Sequence, residues 1–148
     1  MSNVLIRQGD WVVVCDGKKA LVLENVGDTK FLNLKTREVH EQPDAKTHEQ
    51  GTDAPGRSIN SIDSRRSAME QTDWHDQEEQ RFLAHLAARL DKAVVAGETQ
   101  ALIVVAPPRA IGMLRGQFTP QVRQPLRAEI EKDYVKMPVD EITRHLAA

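Results

Sequence analysis

The apolar positions of this chain fall into short β-type runs near its start and into a helix-period stripe further on. Trp11-Val12-Val13-Val14-Cys15 is continuously apolar, as expected of a strand covered on both faces. Asp16-Gly17 follows as a two-residue hairpin signal, because glycine accepts the positive φ that such turns demand. Lys18 to Val26 predicts a second strand, with Leu21 and Leu23 alternating against Val22 and Glu24. Gly27-Asp28 marks another turn. Phe31 to Val39 then predicts a third strand, whose growing polarity suits an exposed edge.

Residues Glu41 to Ser67 break the pattern. They are rich in Gly, Ser, Asp, Pro, Gln and Thr, with only Ile59 and Ile62 as large apolar side chains. Such a stretch buries too little surface to offset its ordering entropy, which predicts a long flexible loop. A helix is expected to begin between Ser67 and Asp73, with Asp73, Asp76, Glu78 and Glu79 crowding its first turns, where the helix dipole favours negative charge. Phe82, Leu86, Leu90 and Val94 recur every four residues with Leu83 and Ala87 beside them, and Gly97 ends the helix.

Ala101 to Ala106 predicts a buried strand stopped by Pro107-Pro108, and Pro108 opens a helix to about Phe118. Thr119 to Leu126 reads as another short helix, Ala128 to Val135 as a charged last strand, and Pro138 onward as a terminal helix with Ile142 and Leu146 inward. The order β-β-β-α-β-α-β-α predicts an α/β single domain over residues 1–148, with a ribonuclease H-like five-stranded mixed sheet and helices packed on it.

Composition narrows the function classes. The 148 residues are 40% hydrophobic and 28% charged, enough for one sizeable core. A formal charge of −2 gives no global pull toward nucleic acid or anionic membrane, so any such contact needs a local patch. The single cysteine, Cys15, excludes an intrachain disulfide and a cysteine-built zinc site, and its apolar run reads as core. No leader pattern opens the chain and no apolar run approaches the roughly 18 residues of a membrane span. A cytoplasmic protein without membrane contact is the expectation.

The sequence identifies no catalytic residue, cofactor or metal centre. A two-metal nuclease needs converging carboxylates on its first strand. That strand has none, and Asp16 arrives only at the turn. His75 with Glu78 and Glu79 has helical spacing but reads as a solvated acidic helix start. His85 reads as a surface or partly buried residue. No G-x-S-x-G elbow and no Gly-rich phosphate loop after a strand is present. Basic residues gather at Arg57, Arg65 and Arg66 in the loop, and at Arg109, Arg115, Arg123 and Arg127 after the fourth strand. Trp74 is the one candidate stacking platform near the loop.

Several blocks, taken in order, resemble the bacterial host attachment protein family: Trp11 to Gly17, Pro55 to Ser58, Glu78 to Phe82, Ala106 to Arg115, and Pro138 to Ile142. The resemblance spans nearly the whole chain. At fold level that family is similar to the middle domain of archaeo-eukaryotic peptide-chain release factors. In those factors the loop before the first helix carries a Gly-Gly-Gln tripeptide that positions a water against the peptidyl-tRNA ester. Here the corresponding loop holds Gly56-Arg57-Ser58 instead, and Gly116-Gln117 falls near the end of a later helix.

The resemblance therefore implies a non-catalytic ribosome- or RNA-associated factor, with Gly56, Arg57, Ser58, Arg65 and Arg66 as its probe and the ribosome or tRNA as partner. A cytoplasmic interaction or regulatory domain with a protein partner, influencing attachment to host cells, is the alternative. An RNA-linked ester hydrolase using Arg57 and Ser58 is a further one.

Overall fold

Strand β1, Trp11–Cys15, is buried at all five positions, as its unbroken apolar run demands. It is the middle strand of a five-stranded mixed sheet. Strand β2, Lys19–Asn25, pairs with it antiparallel on one side, and β3, Leu34–Glu41, pairs antiparallel with β2. On the other side β4, Leu102–Ala106, runs parallel to β1, and β5, Leu126–Glu131, runs parallel to β4. The order is β3-β2-β1-β4-β5. The helices are α1, Ser64–Val95; α2, Pro108–Arg115; α3, Pro120–Arg123; and α4, Val139–Ala147. The computed structural model describes residues 5–42 and 64–147.

Alternation along the strands sends side chains to two cores. Trp11, Val13, Cys15, Ala20 and Val22 face α1, where Phe82, Leu83, Leu86, Ala87 and Leu90 form the expected stripe. Helices α2 and α3 lie against α1 on that side. Val12, Val14, Leu21 and Leu23 face Ile142 and Leu146 of α4. Each fully buried aliphatic side chain contributes about 1.5–3 kcal/mol, so two-sided coverage of β1 and β4 dominates the stability. Helix α1 stops where Gly97 takes φ 77° and the Glu98 amide donates to the Ala93 carbonyl at 2.8 Å.

Several boundaries differ from the sequence expectations. The third strand starts at Leu34 rather than Phe31, because the chain between β2 and β3 is committed to a turn built around Asn25. Asn25 is fully buried, and its amide donates to the carbonyls of Ile6, Arg7 and Asp28, each at 3.2 Å. Its carbonyl oxygen accepts from the amides of Gly27 and Asn33 at 3.0 Å. Phe31 is left 74% exposed at the turn.

Helix α1 begins at Ser64, so the loop expected over 41–67 loses both ends: Glu41 is in β3, and residues 64–67 are helical. Its acidic residues consequently sit several turns in, and the first turn carries none. Residues 64–73 lack the four-residue apolar repeat of the later turns, whereas Arg, Ala, Met, Glu and Gln among them favour helix by propensity. The last strand is Leu126–Glu131 rather than 128–135, and Val135 packs into the α4-side core instead. The short helix after α2 is a single turn, and α2 itself ends at Arg115.

Strand β3 is a sheet edge, as its polarity suggested, and a charge network ties it to α1. Arg89 donates to Glu38 and Glu98, and Arg37 donates to Glu24 at 2.7 Å. The Arg37 and Arg89 guanidiniums stand 4.9 and 5.7 Å from the Trp11 ring centroid. Burial pushes the Glu38 carboxyl up, but hydrogen bonds from Arg89 and His40 outweigh it and hold the group below its usual value of 4.5. A carboxylate depressed in the folded state stabilises at pH above its unfolded value, and that stabilisation is lost as pH falls through the folded one. Glu38→Gln is therefore expected to lower stability near neutrality and to flatten the acid limb of a melting-temperature profile below about pH 4.5. An acid limb as steep as the parent's would remove Glu38 from the account.

Candidate functional site

Strand β1 turns back into β2 just where the parallel strand β4 ends, and a crevice of about 370 Å³ opens between them. Ligands of open α/β sheets characteristically bind at such a change of direction, outside the carboxyl ends of strands. Asp16 shapes one wall as a turn residue: its Oδ1 accepts from the amides of Lys18 and Lys19, both at 2.8 Å. The end of β3 clamps the same hairpin, because Gln42 Nε2 donates to the Gly17 carbonyl at 2.8 Å and the Gln42 amide to the Lys18 carbonyl at 2.9 Å.

The opposite wall is the start of α2. Pro107 in extended conformation precedes Pro108 at the first helical position, which turns Arg109 toward α1. Arg109 pairs there with Asp76, and its Nε lies 3.2 Å from Glu79 Oε1. Glu79 in turn lies against Gly17, where a Cβ would come within 2.7 Å of its Cγ and Cδ. Gly17 is thus required for close approach rather than for a positive φ. Three blocks distant in sequence meet here: Asp16-Gly17, Asp76 with Glu79, and Pro107 to Arg109.

Lys18, Lys19 and Lys136 also line the crevice. Among the described residues none of them has an ion-pair partner, whereas the acids present are engaged, Glu79 by Arg109 and Asp16 by backbone amides. The crevice is therefore suited to hold an anion. Cys15, just below, is buried, and burial pushes its thiol up to about 12, out of the range of a nucleophile. Among the described residues no group of three or more His, Cys, Asp or Glu could hold a metal ion. His75 is exposed, and Glu78 and Glu79 point to opposite flanks of α1, Glu79 to this crevice and Glu78 to a groove beside β3.

The other residues singled out from sequence are dispersed. Gly56, Arg57 and Ser58 lie outside the described residues. Arg65 and Arg66 belong to the first turn of α1 and not to a loop. The four arginines after β4 do not form a patch: Arg115 pairs with Glu129 at 2.7 Å, Arg123 donates to the Arg115 carbonyl at 3.0 Å, and Arg127 binds the buried Asp10 and the Leu5 carbonyl. Each has a partner within the chain. Trp74 sits on α1 and is 51% exposed.

Sequence reading overlooked a basic flank of α1. Arg81, His85, Arg89 and Lys92 follow at i, i+4, i+8 and i+11, which puts them on one side of the helix. The spacing alone could have shown it. Arg89 is spent on Glu38 and Glu98, whereas Arg81, His85 and Lys92 are exposed. Arg81 and His85 line a second opening of about 510 Å³ between α1 and β3, floored by Phe82 and Leu86. Among the described residues no helix is long and apolar enough to cross a membrane.

Comparison with known proteins places the chain in context. A family model described as "Protein required for attachment to host cells" matches residues 11–146, which include every strand and nearly every helical turn described above. No curated protein matches the chain.

Proposed function

The chain belongs to the host attachment family, and we propose that it acts as a non-catalytic ribosome- or RNA-associated factor with the layout of a release factor middle domain. The observation that carries this reading is the crevice at the ends of β1 and β4, where Lys18, Lys19 and Lys136 stand without anionic partners among the described residues. Phosphate groups are the anions that such spaced ammonium groups fit, and a local patch is what a chain of net charge −2 requires to meet RNA.

In this reading the crevice anchors the RNA backbone, and Gly56, Arg57 and Ser58, with Arg65 and Arg66 at the start of α1, supply the probe. Gly-Gly-Gln is missing from the 41–67 stretch, which favours occupancy of an RNA-lined cavity over ester hydrolysis. The sheet order β3-β2-β1-β4-β5 is compatible with the ribonuclease H-like layout and supports the comparison with release factors at the level of architecture.

Co-sedimentation with ribosomes over a range of salt tests the reading. The unmodified protein is expected to pellet at low salt and to be released steeply as salt rises. The triple replacement Lys18→Glu, Lys19→Glu, Lys136→Glu should weaken binding at every salt concentration and lower the slope of log affinity against log salt by about 2–3. If the unmodified protein stays in the supernatant throughout, the proposal fails.

A further inference from the structure

We propose that the groove between α1 and β3, the edge strand of the sheet among the described residues, receives an extended acidic peptide, which adds to the sheet as a sixth strand beyond β3. This site is independent of the lysine crevice and lies on the opposite flank of α1.

The backbone of β3 supplies the pairing edge. The Gln42 amide turns inward to Lys18, and the register continues His40↔Ala20 and Val39↔Leu21. Along an antiparallel strand, residues alternate between facing the partner and facing away. Val39 and Glu41 therefore direct their N–H and C=O groups outward, at the lip of the groove they line. The register shift opposite Val22 and Leu23 lies before this stretch, so its outer edge is regular. A neighbouring strand supplies both the acceptor and the donor that these groups need. Phosphates supply acceptors only, so this edge fits a peptide better than a nucleic acid.

Charge selects the kind of peptide. Arg81, His85 and Lys92 stand exposed along the α1 rim, and Lys35 stands exposed on β3. Among the described residues neither Lys35 nor Lys92 has an ion-pair partner. The acids nearby are largely engaged: Glu38 binds Arg89 and His40, and the buried Glu78 accepts from Arg81 at 2.7 Å, leaving Glu41 exposed.

Length and facing agree with this choice. From Arg81 to Lys92 the helix rises roughly 16 Å. That matches about five residues of strand at roughly 3.3 Å each. His40 lies opposite Ala20, whose side chain faces α1, whereas Val39 lies opposite Leu21, which faces α4. In an added strand, one alternate set of side chains therefore meets the basic rim and suits acidic residues. The other set lies beside the half-exposed Val39 and suits apolar ones.

The probe is a fluorescein-labelled decapeptide of alternating Glu and Val, followed by fluorescence anisotropy with the full chain. Saturable binding is expected. It should weaken about tenfold or more at low salt in Lys35→Glu, Lys92→Glu, and roughly tenfold in Val39→Pro, which removes an outward donor but no bond to β2. A second measurement needs no substitution: in the unmodified protein, saturating peptide should slow hydrogen exchange at the Val39 and Glu41 amides. No saturable binding, an equal response to a Lys/Val decapeptide, displacement by a uridylate oligonucleotide at equal concentration, or unchanged exchange at both amides would each overturn the proposal. The lysine triple variant of the crevice should bind the peptide like the parent, which separates this result from the ribosome experiment.

Discussion

Trp11→Ala is expected to remove about 4 kcal/mol of stability, more than any other single truncation in the chain. Trp11 is fully buried in the central strand, on the face covered by α1, and it is the largest side chain there. Deleting the indole leaves a cavity beneath the helix that the paired backbones of β2 and β4 prevent from collapsing. It also removes the ring beneath Arg37 and Arg89, each worth about 0.5–1 kcal/mol when partly solvated. Those arginines hold β3 to α1 through Glu24, Glu38 and Glu98, so the edge strand should loosen with the core.

The indole Nε1 is buried without a hydrogen-bond partner among the described residues. An unpaired donor opposes folding, so Trp11→Phe, which discards it and keeps a ring, should cost much less than Trp11→Ala, about 1–2 kcal/mol. Urea denaturation of the two variants measures both. Equal losses would mean that the phenyl ring kept in Trp11→Phe contributes nothing at this site. Against a total stability of about 5–15 kcal/mol, the loss in Trp11→Ala leaves roughly 1–11 kcal/mol, so the alanine variant should still fold but with a clearly lower urea midpoint.

Asn25→Ala should cost about 3 kcal/mol although it removes only a small polar side chain. Five backbone groups converge on that amide: the carbonyls of Ile6, Arg7 and Asp28 and the amides of Gly27 and Asn33. Alanine leaves several without partners around a fully buried position. Local loosening should appear as faster hydrogen exchange at Gly27 and Asn33, with the exchange of the β4 amides following global stability. A loss below about 1 kcal/mol would show that water replaces the side chain.

Much of the fold was legible because burial writes itself into apolar pattern. The runs Trp11–Cys15 and Leu102–Ala106 could only be strands covered twice, and they are the buried centre of the sheet. The stripe from Phe82 to Leu90, the Gly97 stop, the proline start of α2 and the polar edge β3 follow from equally local physics. No apolar repeat marks residues 64–73 as helix, and Asn25 looks like an ordinary strand end until the distant carbonyls of Ile6 and Arg7 are placed around it.

The candidate site was less legible for the same reason. Sequence alone determined that this is an α/β chain of the host attachment family whose single thiol belongs to the core. Charge was visible, but its use was not. Arg109, Arg115, Arg123 and Arg127 cluster in sequence yet are spent on internal acids and carbonyls, while Lys18, Lys19 and Lys136 come together from opposite ends of the chain. Whether a cation faces solvent or a buried partner depends on which strands lie side by side. Non-local pairing made that choice: the parallel docking of β4 on β1 brings the start of α2 to the β1–β2 hairpin, and among the described residues β3 forms the sheet edge beside α1.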